Sequence, residues 1–235
     1  MRRNLILLGV LALGALFQVS PAPLRAWDLE AGTLRLRPVP AQAAPLTPST
    51  AADLNGDGRL EALAVHHGRA AILSAGRTVW QSPAGWQVLQ AGFSDLNHDG
   101  RTEVTLLVWR PFQPWPVDRW LPYGGRIQGF QDAAGWSCHL ILVGWRQGGY
   151  GELWAGSALA EPVRQFTAAD LNGDGAQELV TLDGNYASPR SAPAHTLKVW
   201  SWNGFGFTVV SSIDRSFSHM TVLRQADGRI LILTP

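Results

Sequence analysis

The sequence predicts an all-β protein, a small β-propeller built of four-stranded blades. Three observations carry this. One motif occurs three times: AADLNGDGRLEALAV from Ala51, FSDLNHDGRTEVTLL from Phe93 and AADLNGDGAQELVTL from Ala168. Each copy runs straight into an apolar, β-prone stretch that reads as a strand. The rest of the chain is short runs of strand character separated by Gly-containing turns, with no convincing helix; the 25 Gly and 15 Pro suit a chain of many turns.

Residues 1–22 read as an address. Arg2 and Arg3 precede an apolar run from Leu5 to Phe17, the basic and hydrophobic parts of an export signal, and Ser20-Pro21-Ala22 offers small residues for cleavage. The run is short of the ~20 residues a membrane span needs; an uncleaved N-terminal anchor is the alternative. No Cys follows it, which argues against a lipid anchor. Removal would leave 17 Lys and Arg against 18 Asp and Glu, a net charge of −1.

The propeller domain is expected over 23–235. Trp27–Glu30 and Thr33–Val39 form a hairpin about Ala31-Gly32, and the proline-rich stretch 38–48 is a connection. After the first motif come the strand Leu60–His66 and a hairpin of Ala70–Ser74 with Thr78–Gln81. Trp86–Phe93 leads into the second motif and Thr102–Arg110 leaves it. An aromatic insertion, 111–136, precedes the hairpin of His139–Arg146 and Gly151–Ser157. Val163–Ala169 leads into the third motif and Gln177–Asp183 leaves it. A polar insertion, 184–194, is followed by the hairpin of Thr196–Trp202 and Phe207–Ile213. Ser218–Arg224 and Arg229–Leu233 end the chain. Lead strand, loop, second strand and outer hairpin thus repeat over about 48–82, 86–160 and 162–213. The two terminal hairpins, joined, make a fourth blade, and closure by pairing the termini protects the edges. A five-bladed ring, with strands inside the insertion, and a partial propeller that needs a partner are the alternatives.

The three motifs concentrate nine of the 18 acidic residues. Each sets Asp, Asn and Asp at alternate positions, then Gly, then a closing Glu: Asp53, Asn55, Asp57, Glu61; Asp95, Asn97, Asp99, Glu103; Asp170, Asn172, Asp174, Glu178. Arg59, Arg101 and Ala176, at the seventh position, are counted with each metal set. These are hard oxygen ligands, the chemistry of Ca²⁺, which takes six to eight oxygens in irregular geometry. Without a cation each loop is near −3, and like charges that close disfavour joint ionisation. An Asp/Asn/Gly turn between strands is the competing reading of one copy; three matched copies favour the metal. An EF-hand is excluded, because its acid falls at the twelfth position before a helix, whereas here the acid is ninth and a strand follows.

The DLNGDG, DLNHDG and DLNGDG cores, each with an acid three residues on, resemble the FG-GAP/VCBS repeat of integrin α-like β-propellers. The resemblance rests on about 45 residues. It implies up to three structural Ca²⁺ ions in loops that link adjacent strands of a blade; adhesion or recognition at the cell surface is a separate expectation that the resemblance does not carry.

Function beyond the metal is expected from the insertion, which carries Trp115, Trp120, Tyr123 and Arg126, residue types enriched at binding hot spots. Long loops on rigid scaffolds carry function, and a protein or glycan is the expected partner; packing of these aromatics back onto the blade is the plain alternative. The Trp residues on strands (Trp80, Trp109, Trp145, Trp154, Trp200, Trp202) read as packing. The chain shows no Lys/Arg run and so no nucleic-acid footprint. HExxH, G-x-S-x-G and GxxxxGK[ST] are absent, and the single Cys138 gives neither a disulfide framework nor a metal pair. The preferred reading is a non-enzymatic, exported calcium-binding propeller. The alternative is an extracellular hydrolase or lyase acting on polysaccharide, with Asp118, Asp132 and Asp183 as its candidate acids, and a third is an assembly module with no ligand of its own.

Overall fold

The computed structural model describes residues 23–41, 43–114, 120 and 129–235. The N-terminal address, 1–22, lies outside the described residues. Among the described residues seventeen strands follow one another, and no helix is long and apolar enough to cross a membrane. The chain opens with β1 (Arg25–Glu30), β2 (Thr33–Arg37) and β3 (Ala44–Pro45). Blade one is β4 (Ala51–Ala52), β5 (Glu61–His66), β6 (Arg69–Ser74) and β7 (Arg77–Gln81). Blade two is β8 (Gln87–Ser94), β9 (Glu103–Pro111), β10 (Trp136–Arg146) and β11 (Gly149–Ala155). Blade three is β12 (Val163–Ala169), β13 (Glu178–Asp183), β14 (Ala194–Trp202) and β15 (Phe207–Phe217). The chain ends with β16 (Thr221–Arg224) and β17 (Ile230–Thr234).

Blades one to three are antiparallel meanders in which sequence neighbours pair. The fourth blade is assembled from both ends of the chain, in the order β2-β1-β17-β16-β3. Arg25 pairs with Thr234 and Trp27 with Ile232, and the Trp27 indole N–H donates to Thr234 Oγ1 at 3.0 Å. The architecture is a four-bladed β-propeller. One expectation is corrected: the 38–48 stretch is more than a connection. Ala44 and Pro45 pair with Arg224 and Leu223 as β3, and Leu46 N–H adds a bond to the Val222 carbonyl at 2.7 Å. Pro45 is tolerated there because β3 is an edge strand.

Alternation along each strand turns opposite faces to the two neighbouring blades. On β9, Val104, Leu106 and Val108 join Leu54, Ile72 and Val88 in a core between blades one and two. Leu107 and Trp109 join Val163, Phe166 and Leu179 between blades two and three. Val180, Leu182 and Leu197 of blade three meet Trp27, Val222 and Ile232 of blade four. Among the described residues no corresponding buried cluster joins blade four to blade one. Leu63 packs toward blade two, so its neighbours Ala62 and Ala64 face the other way, and both are exposed.

Polar clamps cross the same seams. The Gln90 amide donates to the Phe166 carbonyl at 2.7 Å and accepts the Phe166 N–H at 3.0 Å. Gln165 treats Met220 in the same way, at 2.8 and 2.9 Å. Each side chain thereby mimics a backbone ladder where no strand pairing exists. From the polar insertion Arg190 reaches back to blade two, 3.8 Å over the Trp109 ring, and bonds Asp132 and Gln87 at 2.8 and 2.6 Å. Trp154, Trp202 and Phe207 form an edge-to-face triangle with centroids 5.2–5.7 Å apart, and Trp80, Trp154 and Trp200 flank the cores as packing residues.

Candidate metal-binding loops

The three motifs occupy the turns β4–β5, β8–β9 and β12–β13, at the same place in each blade. In each, the first Asp gathers backbone N–H groups. Asp53 accepts from Gly56 at 2.7 Å and Gly58 at 2.9 Å. Asp170 accepts from Gly173 and Gly175 at 2.7 and 2.9 Å. Asp95 accepts from Asp99 and Gly100, both at 3.1 Å. The Gly58 N–H foremost holds the Asp53 carboxyl below the ordinary carboxylate range. The curl needs left-handed backbone at two positions of every loop. The fourth is Gly56, His98 or Gly173 and the sixth Gly58, Gly100 or Gly175, with φ between 57° and 90°.

The third-position Asn accepts the N–H of the following Asp at 2.9, 3.0 and 2.8 Å in the three loops. The fifth-position Asp in turn accepts the N–H of Arg59, Arg101 or Ala176 at 2.8–2.9 Å. With that N–H engaged, residues Arg59, Arg101 and Ala176 have only a backbone carbonyl to offer a cation.

The closing Glu is the first residue of the outgoing strand and is buried: Glu61 is 0% exposed, Glu103 1% and Glu178 5%. Each carboxylate reaches back to the N–H of the second loop residue, Leu54 at 3.0 Å, Leu96 at 2.7 Å and Leu171 at 2.8 Å. Those leucines are core residues, so the Glu ties the loop to the blade interior.

The second loop meets a cation's requirements most closely. One oxygen each from Asp95, Asp99 and Glu103 lie within 4.8 Å of one another, the spread of points on a sphere of roughly 2.4 Å radius, a Ca²⁺–O distance. Glu103 Oε2 is buried with no hydrogen-bond partner. A buried, unpaired carboxylate oxygen is costly unless a charge meets it. Burial first, with Asp95 and Asp99 adding repulsion, pushes the Glu103 carboxyl from its ordinary 4.5 up to about 7. In the first loop both Glu61 oxygens are engaged, by Leu54 N–H and by the Ser74 hydroxyl at 3.1 Å. In the third, the Asn172 amide donates to both Asp174 and Glu178 at 2.9 Å, and burial raises the Glu178 carboxyl. The residues therefore fit a hard divalent cation, and the second loop carries the clearest unmet need for one.

Loops two and three touch. Gln177, beside Glu178, accepts the Asp95 N–H through its side-chain oxygen at 2.8 Å. Its own carbonyl is 2.9 Å from His98 Nε2. His98 is exposed but engaged in this contact.

Of the expected ligand-binding residues, Trp115, Tyr123 and Arg126 lie outside the described residues, as does Asp118. Trp120 is 75% exposed. Asp132 is held by Arg190 and by two backbone N–H groups at 3.0 Å. Asp183 is buried against Lys198 at 2.9 Å, and Lys198 also pairs with Glu161. The candidate acids Asp132 and Asp183 thus sit in separate ion pairs. Gln177 and the two Gln clamps were missed in the sequence. A signal existed: Gln90 and Gln165 each stand five residues before a first-position Asp, where the first motif has Pro48.

No protein-family model matches the chain, and no curated protein matches it.

Proposed function

We propose that the chain is an exported, non-enzymatic calcium-binding β-propeller of the FG-GAP/VCBS type, whose three loops each hold one structural Ca²⁺ and whose scaffold presents a protein- or glycan-binding surface outside the cytoplasm. The observation that carries the metal is the second loop, where three carboxylates converge and Glu103 Oε2 is buried without a partner. The repetition of the same ligand types at the same place in three blades extends the reading to all three.

Ca²⁺ would supply positive charge at the centre of each loop. The residues that would hold it are Asp53, Asn55, Asp57 and Glu61, with the Arg59 carbonyl, and their counterparts in the other loops. The chain's part is to pre-form the curl through backbone N–H bonds and to deliver the closing Glu from the core. An export route suits weak sites, because extracellular modules fill at 10⁻⁴–10⁻³ M.

Thermal unfolding in excess Ca²⁺ and in chelator, with bound ions counted by calorimetry, tests this reading. Each site saturated at a hundred times its Kd adds about 2.7 kcal/mol. A raised midpoint with three ions bound is the expected result. An unchanged midpoint with no ion bound would reduce the loops to turns.

A further inference from the structure

We propose that the cleft on the blade-one-facing side of blade two, beside the 82–86 connection and at the end remote from the loops, binds a carboxylated sugar residue, with Arg110 as the carboxylate anchor and Trp86 as the ring platform. The site is independent of the calcium loops: Arg110 lies seven residues beyond Glu103 on β9, roughly 23 Å along the strand.

The cleft has a volume of about 410 Å³ and is lined by Trp86, Arg110, Phe112, Gln113, Ser137 and His139 among others. Arg110 stands directly opposite Ser137 in the β9–β10 ladder, and His139 is two residues on, so all three share the face turned toward blade one. Arg110 is half-buried, and no ion pair engages it among the described residues; Glu152 acts on it only at longer range. Among the described residues its polar side-chain contact is His139 Nδ1 at 3.4 Å. That nitrogen is also 3.0 Å from the Gly156 carbonyl, while Nε2 is 2.8 Å from Ser137 Oγ. The two distances define one arrangement: Nδ1–H donates to Gly156, and Nε2 accepts the Ser137 hydroxyl. Burial foremost, and then the charge of Arg110, keep His139 uncharged, its pKa down to about 4. The nitrogen nearest Arg110 therefore carries a hydrogen and accepts nothing from it.

The result is a half-buried cation in a half-enclosed cleft whose guanidinium meets no acceptor side chain among the described residues. Burial without compensation is costly for such a group, and a planar guanidinium matches a carboxylate two bonds at a time. The occupant's charge is set by this cation. Its body is set by the half-buried Trp86 ring, whose centroid lies 5.9 Å from the guanidinium carbon, and by exposed Gln113, which lines the same cleft. A ring with one apolar face, hydroxyls at its rim and a carboxylate matches all three. A bare inorganic anion leaves Trp86 and Gln113 unused.

Calorimetric titration of the protein with glucuronate, glucose and benzoate, in the presence of Ca²⁺, reads the proposal. Glucuronate should bind, glucose should bind at least tenfold more weakly, and benzoate should be weaker than glucuronate because it has no hydroxyls for Gln113. Arg110→Met should lower glucuronate affinity at least tenfold while keeping the thermal midpoint, since an uncompensated charge is removed and the stem is replaced. Arg110→Lys, which keeps charge without the planar fork, should lie between. Trp86→Leu should weaken glucuronate and leave the preference over glucose intact. Equal binding of glucuronate and glucose, an unchanged Arg110→Met, or no binding of glucuronate would overturn the assignment. Benzoate binding with glucuronate silent would overturn the sugar. Because the sites are separate, failure here leaves the Ca²⁺ count untouched, and the reverse also holds.

Discussion

Replacing Glu103 with Gln should stabilise the metal-free protein and weaken its response to Ca²⁺. The magnitude follows from the burial of this carboxyl. Its pKa rises from 4.5 to about 7 in the folded, metal-free state, and each unit is 1.36 kcal/mol, so the cost of the charge is about 3 kcal/mol. The folded state binds the proton more tightly than the unfolded state. The cost is therefore absent below pH 4.5, where both states are protonated, grows as pH rises through the interval, and is complete above about pH 7. Gln keeps the oxygen that accepts the Leu96 N–H at 2.7 Å and removes the charge. In chelator at pH 8 the variant should exceed the parent by up to about 3 kcal/mol, and the gap should close near pH 4. In saturating Ca²⁺ the order should narrow or invert, because the variant loses one ligand charge at one site. Urea unfolding at pH 4 and pH 8, each with chelator and with Ca²⁺, measures all four arms. A variant less stable than the parent in chelator at pH 8 would refute the reasoning, since it would mean the Glu103 carboxylate is already compensated without metal.

Gln177→Leu should remove the side-chain half of the contact between loops two and three, the bond to the Asp95 N–H, and leave the backbone carbonyl facing His98. Calorimetry should then show weaker Ca²⁺ binding at the second loop with the first loop unaffected. Gln165→Leu leaves the backbone N–H and C=O of Met220 without partners at a blade seam and should lower stability by about 2 kcal/mol in denaturant unfolding, regardless of Ca²⁺. Ile232→Ala, in the strand that pairs the termini, should cost 2–5 kcal/mol and broaden the unfolding of blade four. Arg190→Met should lower the thermal midpoint by removing the Asp132 pair and the contact over Trp109, with no effect on Ca²⁺ stoichiometry.

The blades were legible because the repeat marks the same turn three times and because Gly-centred hairpins punctuate the rest. The pairing of Trp27–Val39 with Ser218–Leu233 could be read from strand arithmetic, since two orphan hairpins of two strands each make one blade. The Ala44–Pro45 strand could not, because two residues with a proline carry no strand period and owe their conformation to β16. The loop residue types were legible by spacing. The differences between loops were not: Ser74 satisfies Glu61 from 13 residues away, and nothing local to the first motif announces it. Nothing in the sequence singles out Arg110 and His139, because their cleft is created by the register of β9 against β10, a long-range relation invisible in either strand alone.

The fourth blade explains why the motif occurs three times and not four. Its corresponding turn, Gln225–Arg229, retains an Asp-Gly-Arg like the first two motifs but lacks the first Asp, the Asn and the closing Glu. Asp227 is met by the Arg229 side chain at 2.7 Å and by its N–H at 3.1 Å, and the turn is closed by a Gly228 N–H bond to Gln225 at 3.0 Å. One acid with one cation needs no ion. The other turns hold three acids each, and the two arginines that follow the loop glycines, Arg59 and Arg101, give the fifth-position Asp a backbone N–H and form no ion pair with a loop acid among the described residues. The contrast separates two ways of fixing the same turn. In blade four it is fixed by an internal ion pair and by strand pairing between the chain's ends. In blades one to three the curl is held by backbone N–H bonds to the first Asp, and on the proposed reading a bound cation would offset its three acids. Removing divalent cations should therefore loosen the lead turns of three blades and leave the terminal pairing of the fourth in place.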